Sequence, residues 1–292
     1  MSNVLALTGR NLLRYIRDPL NVFFSLLGAL IIFVLYTLFL GNLQVVSITE
    51  SMPGADADLV KRFIDSWMFA GIISITSMTT PLGALSTFVE DGSTKRFQDF
   101  LVSPLKRSEL VLGYLLSAFV IGSGMTLLVL AVSLLYLAVL SGVVLSLGAV
   151  LSAIGWTLLS VAGFAALWSF VISFIRTQGA FAGLSSLIGT IAGFVSGSYI
   201  AVGLFPEAVR NVVSALPFAH SSMLLRQAFT EDALSDLLGG HPEGIETMEV
   251  FYGMQLYVGD WNVPVWFAAA LLAVVAVVFT WLASRRIHKR IA

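Results

Sequence analysis

The chain has 292 residues, 58% of them hydrophobic and only 11% charged, with a formal net charge of −1. A soluble domain carries about a quarter of its residues as Asp, Glu, Lys or Arg, so that class is excluded. Cysteine is absent, which removes disulfides and thiolate metal sites.

Windows without a formal charge decide what remains: 19–49, 66–89, 110–175, 177–206 and 261–284. A helix needs about 20 apolar residues to cross a bilayer, and the 110–175 window is long enough for two. The expectation is an all-α integral membrane protein of six spans, one domain over 1–292. The first apolar run, 22–40, is long enough to span and lacks a small-residue cleavage site near its end. No cleavable leader is expected.

In chain order, residues 4–17 form an amphipathic helix before Asp18-Pro19 stops it. Leu5, Leu12 and Ile16 fall on one side, Arg10, Arg14 and Arg17 on the other. Such a helix would lie in the membrane interface over residues 1–18, arginines toward lipid phosphates. A basic topology signal with no further role is the alternative. Span one follows at 22–40, then a polar loop at 42–61 containing Pro53-Gly54, then span two at 66–89.

Residues 90–109 separate two long uncharged blocks and carry eight charges. Phe97, Phe100, Leu101 and Leu105 interleave with them at helical spacing, and Pro104 ends the pattern, which fits a short amphipathic helix. A solvated loop between two membrane helices is the plainer reading. Spans three and four are expected at 110–140 and 143–175, turning near Ser141-Gly142, and span five at 179–202. Gly179, Gly183, Ser186, Gly189, Gly193 and Gly197 share about a third of that helix's circumference. Small residues so spaced permit close helix packing; a subunit-facing or substrate-facing groove is the alternative. A polar region, 203–260, precedes span six at 261–284. His220 and His241 in it have no metal-ligand spacing.

The order of residues from Glu90 to Tyr114 resembles the first cytoplasmic loop of type-2 permeases of ATP-binding-cassette exporters. An acidic pair and a glycine precede a basic, phenylalanine-containing helix, and Leu-Val-Ser-Pro-Leu leads into an apolar span. The segment from Leu216-Pro217 to Phe229 resembles that family's short helices dipping into the outer membrane face, with Arg226 at its basic position. The resemblance implies a coupling helix on a separate ATPase subunit. Glu90, Lys95, Arg96, Phe97, Phe100, Leu101, Ser103, Pro104, Leu105 and Arg107 would contribute to it. It further implies two permease chains, identical or homologous, and two ATPase chains holding ATP and Mg, with no cofactor on this chain. Membrane lipids would be further partners, and nucleic acid would not.

Basic residues set orientation. The side with both termini and 90–109 holds twelve Lys or Arg and five acidic residues, the other four and twelve. Both termini are therefore expected in the cytoplasm, in the cell membrane of a bacterium. No Gly-Lys dipeptide occurs, so there is no phosphate-binding loop of that kind and no ATPase is expected here. The six spans hold no formal charge, and proton- or ion-coupled transporters usually place ionisable groups there. Energy should enter from outside the spans, and an apolar or amphipathic cargo (drug, lipid or peptide) is suggested. A structural or regulatory membrane protein and a lipid-handling membrane enzyme are the alternatives.

Overall fold

The computed structural model describes residues 2–52, 54–94, 96–97, 106–239 and 241–291. Helix α1 is Ser2–Ile16, and α2 (Pro19–Leu35) continues through a π-turn at Tyr36–Leu40 into α3 (Gly41–Ser51). Next come α4 (Ala57–Ala84), α5 (Ser86–Ser93), α6 (Arg107–Tyr136, with a π-turn to Ser141), α7 (Leu147–Ile172) and α8 (Gln178–Val195). After α8 stand α9 (Glu207–Ala215), α10 (Pro217–Leu238), α11 (Pro242–Tyr252), a two-stranded hairpin of β1 (Tyr257–Val258) and β2 (Trp261–Asn262), and α12 (Val265–Ile291). Among the described residues six helical segments are long and apolar enough to cross a membrane, as the charge-free windows predict.

Helix α4 is the axis of the bundle. Of its apolar window 89% is buried, against 17–22% for α2, α8 and α12. It packs on α2, α3, α6, α7, α8 and α10. Small residues let so many neighbours approach. A methyl on Gly71 would lie 2.8 Å from Ser198 Oγ, and one on Gly122 of α6 would lie 2.8 Å from Pro81 Cγ and 2.9 Å from Val161 Cγ1. The hydroxyls of Thr76, Ser77 and Thr80 donate to carbonyls one turn back, so they cost little when buried. Pro81 sits inside α4, where proline disturbs the hydrogen-bond ladder of the preceding turn. Trp168 Nε1 of α7 donates to the Met78 carbonyl there at 2.8 Å.

Two boundaries differ from the sequence expectation. The polar stretch 42–61 is mostly helix: α3 runs to Ser51, and α4 opens at Ala57 with the Asp56 carboxylate accepting from the Asp58 N–H. Helix α3 lays Ile48 on α4. A hydropathy window measures residence in lipid, and these turns extend beyond it. The expected turn at Ser141-Gly142 is present, with Gly142 at φ +66° ending the π-turn. Helix α10 is longer than the short dipping helices expected, running 22 residues to Gly239 at φ +56°.

The ends of the bundle differ in charge. Helix α1 packs on α6 and α5, and Arg286 lies over the Phe174 ring at 4.5 Å, placing both chain ends and residue 176 at one basic end. At the other, acidic end Ser141 Oγ donates to Asp65 and Arg62 lies beside Gly142.

Arg226 of α10 seals the acidic end. It is 1% exposed, donates from Nη2 to the carbonyls of Gly197 (2.6 Å) and Ser196 (3.1 Å), and stands 4.9 Å from the Trp67 ring centre. Burial pushes its guanidinium down to about 9, still charged at neutral pH. Gly253, at φ +71°, turns the chain beside it, and a methyl there would lie 2.6 Å from Nη1. Nearly two turns earlier, His220 Nδ1 donates to the Leu216 carbonyl, while Nε2 is buried with no partner among the described residues.

Two outcomes follow. Gly122→Leu should sharply lower the yield of monodisperse protein in detergent. Gly124→Leu, with nothing within 4 Å, should leave it unchanged. Burial also lowers the His220 pKa, so the folded chain keeps the ring neutral. The unfolded chain takes up the proton below about pH 6.5. Stability should be complete above that value and decline as pH falls through it. Thermal midpoints measured between about pH 7.5 and pH 5 should show a flatter slope in His220→Gln.

Candidate functional site

At the basic end a charged junction ties together α1, α5, residues 96–97 and α6. Its position begins with a face of α1 that the charge pattern alone does not reveal. Leu7, Asn11 and Tyr15 recur every four residues and are all buried. Gly113 of α6 lets this face in: a methyl there would meet Leu7 Cδ2 at 2.5 Å. Thr8 Oγ1 reaches the Gly113 carbonyl, Asn11 Nδ2 donates to Ser117 Oγ (3.2 Å), and the Tyr15 and Ser25 hydroxyls are 2.6 Å apart. The first turn is tied by Asn3 Nδ2, which donates to Glu109.

With α1 so placed, its arginines face α5. Asp91 has no exposed side-chain surface and is the hub. It accepts from Arg10 Nη2 at 2.6 Å, Arg14 Nη1 at 2.8 Å, Tyr114 Oη at 2.6 Å and, more weakly, Arg96 Nη1 at 3.4 Å. Glu90, 41% exposed, takes Arg14 Nη2 at 2.6 Å and Arg96 at 3.3 Å. Burial pushes the Arg10 guanidinium down, and the hydrogen bonds and charge of Asp91 and Tyr114 together outweigh it and hold it above its ordinary value.

An aromatic trio backs the junction. Phe88 lies 5.1 Å from Tyr114 and 5.2 Å from Phe97, and Phe97 lies 6.2 Å from Tyr114.

Several predicted site residues stand differently from expectation. Arg10 and Arg14 turn to Asp91 and Glu90, which stand on the α5 side within 2.6–2.8 Å, instead of pointing freely outward as the charge pattern suggests. Arg17 is exposed and makes no ion pair among the described residues. Leu5 and Ile16 do form an exposed apolar side, while Leu12 is half-buried against the core. Phe97 is half-buried on Phe88 and Tyr114, so it is not a free apolar surface. Glu90 and Arg96 belong to the junction. Lys95, Phe100, Leu101, Ser103, Pro104 and Leu105 lie outside the described residues. Arg107 opens α6.

The glycine stripe of α8 divides. Gly179, Gly183 and Gly189 have nothing among the described residues within 4 Å of a would-be methyl, although a methyl on Gly28 of α2 would lie 3.9 Å from the Gly189 carbonyl. Gly193 is closed by the Tyr199 ring, and Gly197, at φ +65°, lies past the helix end against Val202 and Arg226. Gly193 is thus in the last turn of α8, closed by the chain folding back on it, and Gly197 belongs to the turn that follows.

Residues 42–285 match the family described as ABC-2 family transporter protein. The chain belongs to that family. The match takes in the last turns of the first membrane segment, the next four whole and nearly all of the sixth, and it bears out the resemblance seen in 90–114 and 216–229. This protein is thus the multi-pass membrane component, the permease, of an ABC transporter. No curated protein matches the chain. Helix α1 lies before the matched stretch, yet its arginines supply most of the positive charge on Asp91.

Sequence reasoning singled out Glu90, Arg10 and Arg14 without joining them, and missed Asp91 as hub and Tyr114 as its partner. The recurrence of Leu7, Asn11 and Tyr15 was the available signal. In this permease Asp91→Asn should lower stability by about 3 kcal/mol, the low end of the range for breaking a buried ion pair, because Arg10 and Arg14 keep some contact with water. Glu90→Gln, at an exposed carboxylate, should cost about 1 kcal/mol or less. Thermal unfolding of the detergent-solubilised chain ranks the two, and equal losses would contradict the hub.

Proposed function

We propose that this permease forms half of an exporter's membrane path and is driven by a separate ATPase docked at its basic end. The observation that carries the reading is the Asp91 junction. It fastens α1, α5 and α6 to one another where the chain leaves for residues 98–105. A push on that segment would reach α4 through α5, which follows it after one residue, and α6 directly. The charge-free spans give no other route for energy.

In this reading the working unit has two permease chains, identical or homologous, and two ATPase chains that bind ATP and Mg. The basic end faces the cytoplasm of a bacterial cell, and both termini lie there. The cargo is apolar or amphipathic. Lys95, Phe100, Leu101, Ser103, Pro104, Leu105 and Arg107 supply the docking segment, while Glu90, Arg96 and Phe97 hold its start.

Leu101→Asp with Leu105→Asp tests the docking. The permease should keep its folded yield, because the substitutions lie beyond the junction. Its co-purification with the ATPase, or its stimulation of ATP hydrolysis, should fall about tenfold or more, the loss of roughly 1.4 kcal/mol of contact. Normal association and normal stimulated hydrolysis would refute the assignment.

A further inference from the structure

The acidic end carries a second site, built from α9 and the β-hairpin. Helix α9 is amphipathic and short, and its outward side is apolar: Val209 is 46% and Val212 64% exposed, with Leu204 just before it at 59%. Trp261 and Trp266 are exposed at the same end. Apolar side chains with tryptophans, at the ends of membrane spans, mark the level of lipid head groups.

Beside this rim lies a cavity of about 300 Å³. Arg210 and Ser214 of α9 line one side, and Gln255, Tyr257 and Asp260 line the other. The walls are fixed. Gly259, at φ +61°, makes the hairpin turn, and its N–H donates to Asn211 Oδ1 at 3.2 Å, pinning the turn to α9. Gln255 is occupied at both ends, donating to Glu249 Oε2 (2.6 Å) and accepting from Asn262 Nδ2 (3.2 Å). The Tyr257 hydroxyl accepts from the same amide at 3.3 Å.

Three lining groups are left with nothing to bind. Ser214 is fully buried, and among the described residues its Oγ has no hydrogen-bond partner, a deficit that a native interior seldom leaves unfilled. Arg210 and Asp260 make no ion pair with each other or with any described residue. A cation and a hydroxyl on one helix, with an anion on the facing turn, call for a ligand carrying both signs. A purely anionic ligand would meet Asp260, and a purely cationic one Arg210. Guanidinium and hydroxyl together suit a phosphate, and a carboxylate suits an ammonium. The volume is at the small end for ligand sites, enough for a head group but not for acyl chains.

We propose that this cavity holds the head group of a zwitterionic phospholipid from the leaflet at the acidic end. The phosphate lies on Arg210 and Ser214, the ammonium lies on Asp260, and the acyl chains run down over Leu204, Val209 and Val212. The shared chemistry, a phosphate ester of ethanolamine, exists both as membrane lipid and as a free soluble head group. The apolar rim favours the lipid.

The test is native mass spectrometry of the full chain, released from detergent with equal amounts of dioleoyl phosphatidylethanolamine and dioleoyl phosphatidylglycerol. Wild type should retain the zwitterionic lipid over the anionic one by about fivefold, the worth of one favourable charge contact. Arg210→Gln should lose retention of both. Asp260→Asn should bring the ratio to about one, and since Asp260 is exposed and unpartnered this variant has no fold to lose. Equal retention by wild type, or an unchanged preference in Asp260→Asn, overturns the site. Soluble glycerophosphoethanolamine should fail to displace the lipid at equal concentration, and displacement by it overturns the lipid assignment in favour of a free zwitterion.

Discussion

A helix surrounded on every side has no water to repair its backbone, and α4 is built under that constraint. In hydrocarbon each unpaired carbonyl is costly, and Pro81 disturbs the ladder where packing is tightest. Trp168 Nε1 reaches the Met78 carbonyl one turn back. Its indole then stacks near Phe218 of α10, whose ring also lies face to face with Phe164 at 5.4 Å. One local defect in α4 thus fixes the placement of α7 against it and of α10 against α7. Gly122 completes the arrangement by letting α6 come into contact with Pro81 itself.

The two ends of this axis each hold a buried charge, and they are satisfied in opposite ways. Asp91 is compensated by formal charge, with two arginines at 2.6 and 2.8 Å and a third at 3.4 Å. Those arginines keep part of their surface in water, while the carboxylate keeps none, so desolvation is complete for Asp91 and partial for Arg10 and Arg14. Arg226 has no carboxylate among the described residues and is held by two carbonyls and the face of Trp67. The Trp67 indole is itself held by its N–H to the Tyr252 carbonyl, and Tyr252 meets its ring at 5.3 Å. An ion-pair hub can be rearranged by a neighbouring charge, whereas a guanidinium wedged between carbonyls and rings answers mainly to packing. The basic end is thus held by formal charge, and the acidic end by carbonyls and packed rings.

The spans were legible because absence of charge over about 20 residues has only one stable use in a chain this apolar. The turn at Gly142 was legible for a related reason, since glycine there relieves a left-handed residue. The start of α4 was hidden because hydropathy falls at residue 65 while the helix does not. Its first turns carry Asp56 as a cap and the Lys61–Asp65 pair, both ordinary signals of a helix in water. The glycine period of α8 was plain, but spacing says only that something could approach. Among the described residues nothing comes within 4 Å of where a side chain on Gly179, Gly183 or Gly189 would begin.

The candidate site shows why a motif can be read correctly and its geometry missed. Glu90 and Asp91 are adjacent in sequence, and only Asp91 is the hub, because a helix turns neighbours about 100° apart. That rotation directs Glu90 to the rim and Asp91 onto Tyr114. Likewise Arg10 and Arg14 are one turn apart on α1, which lets both reach one carboxylate 81 and 77 residues away. No local pattern pairs positions so distant. What places them is the uncharged face of α1, where Leu7 fits over Gly113 and Asn11 meets Ser117. The specificity of the charged junction therefore resides in a glycine and an amide that carry no charge.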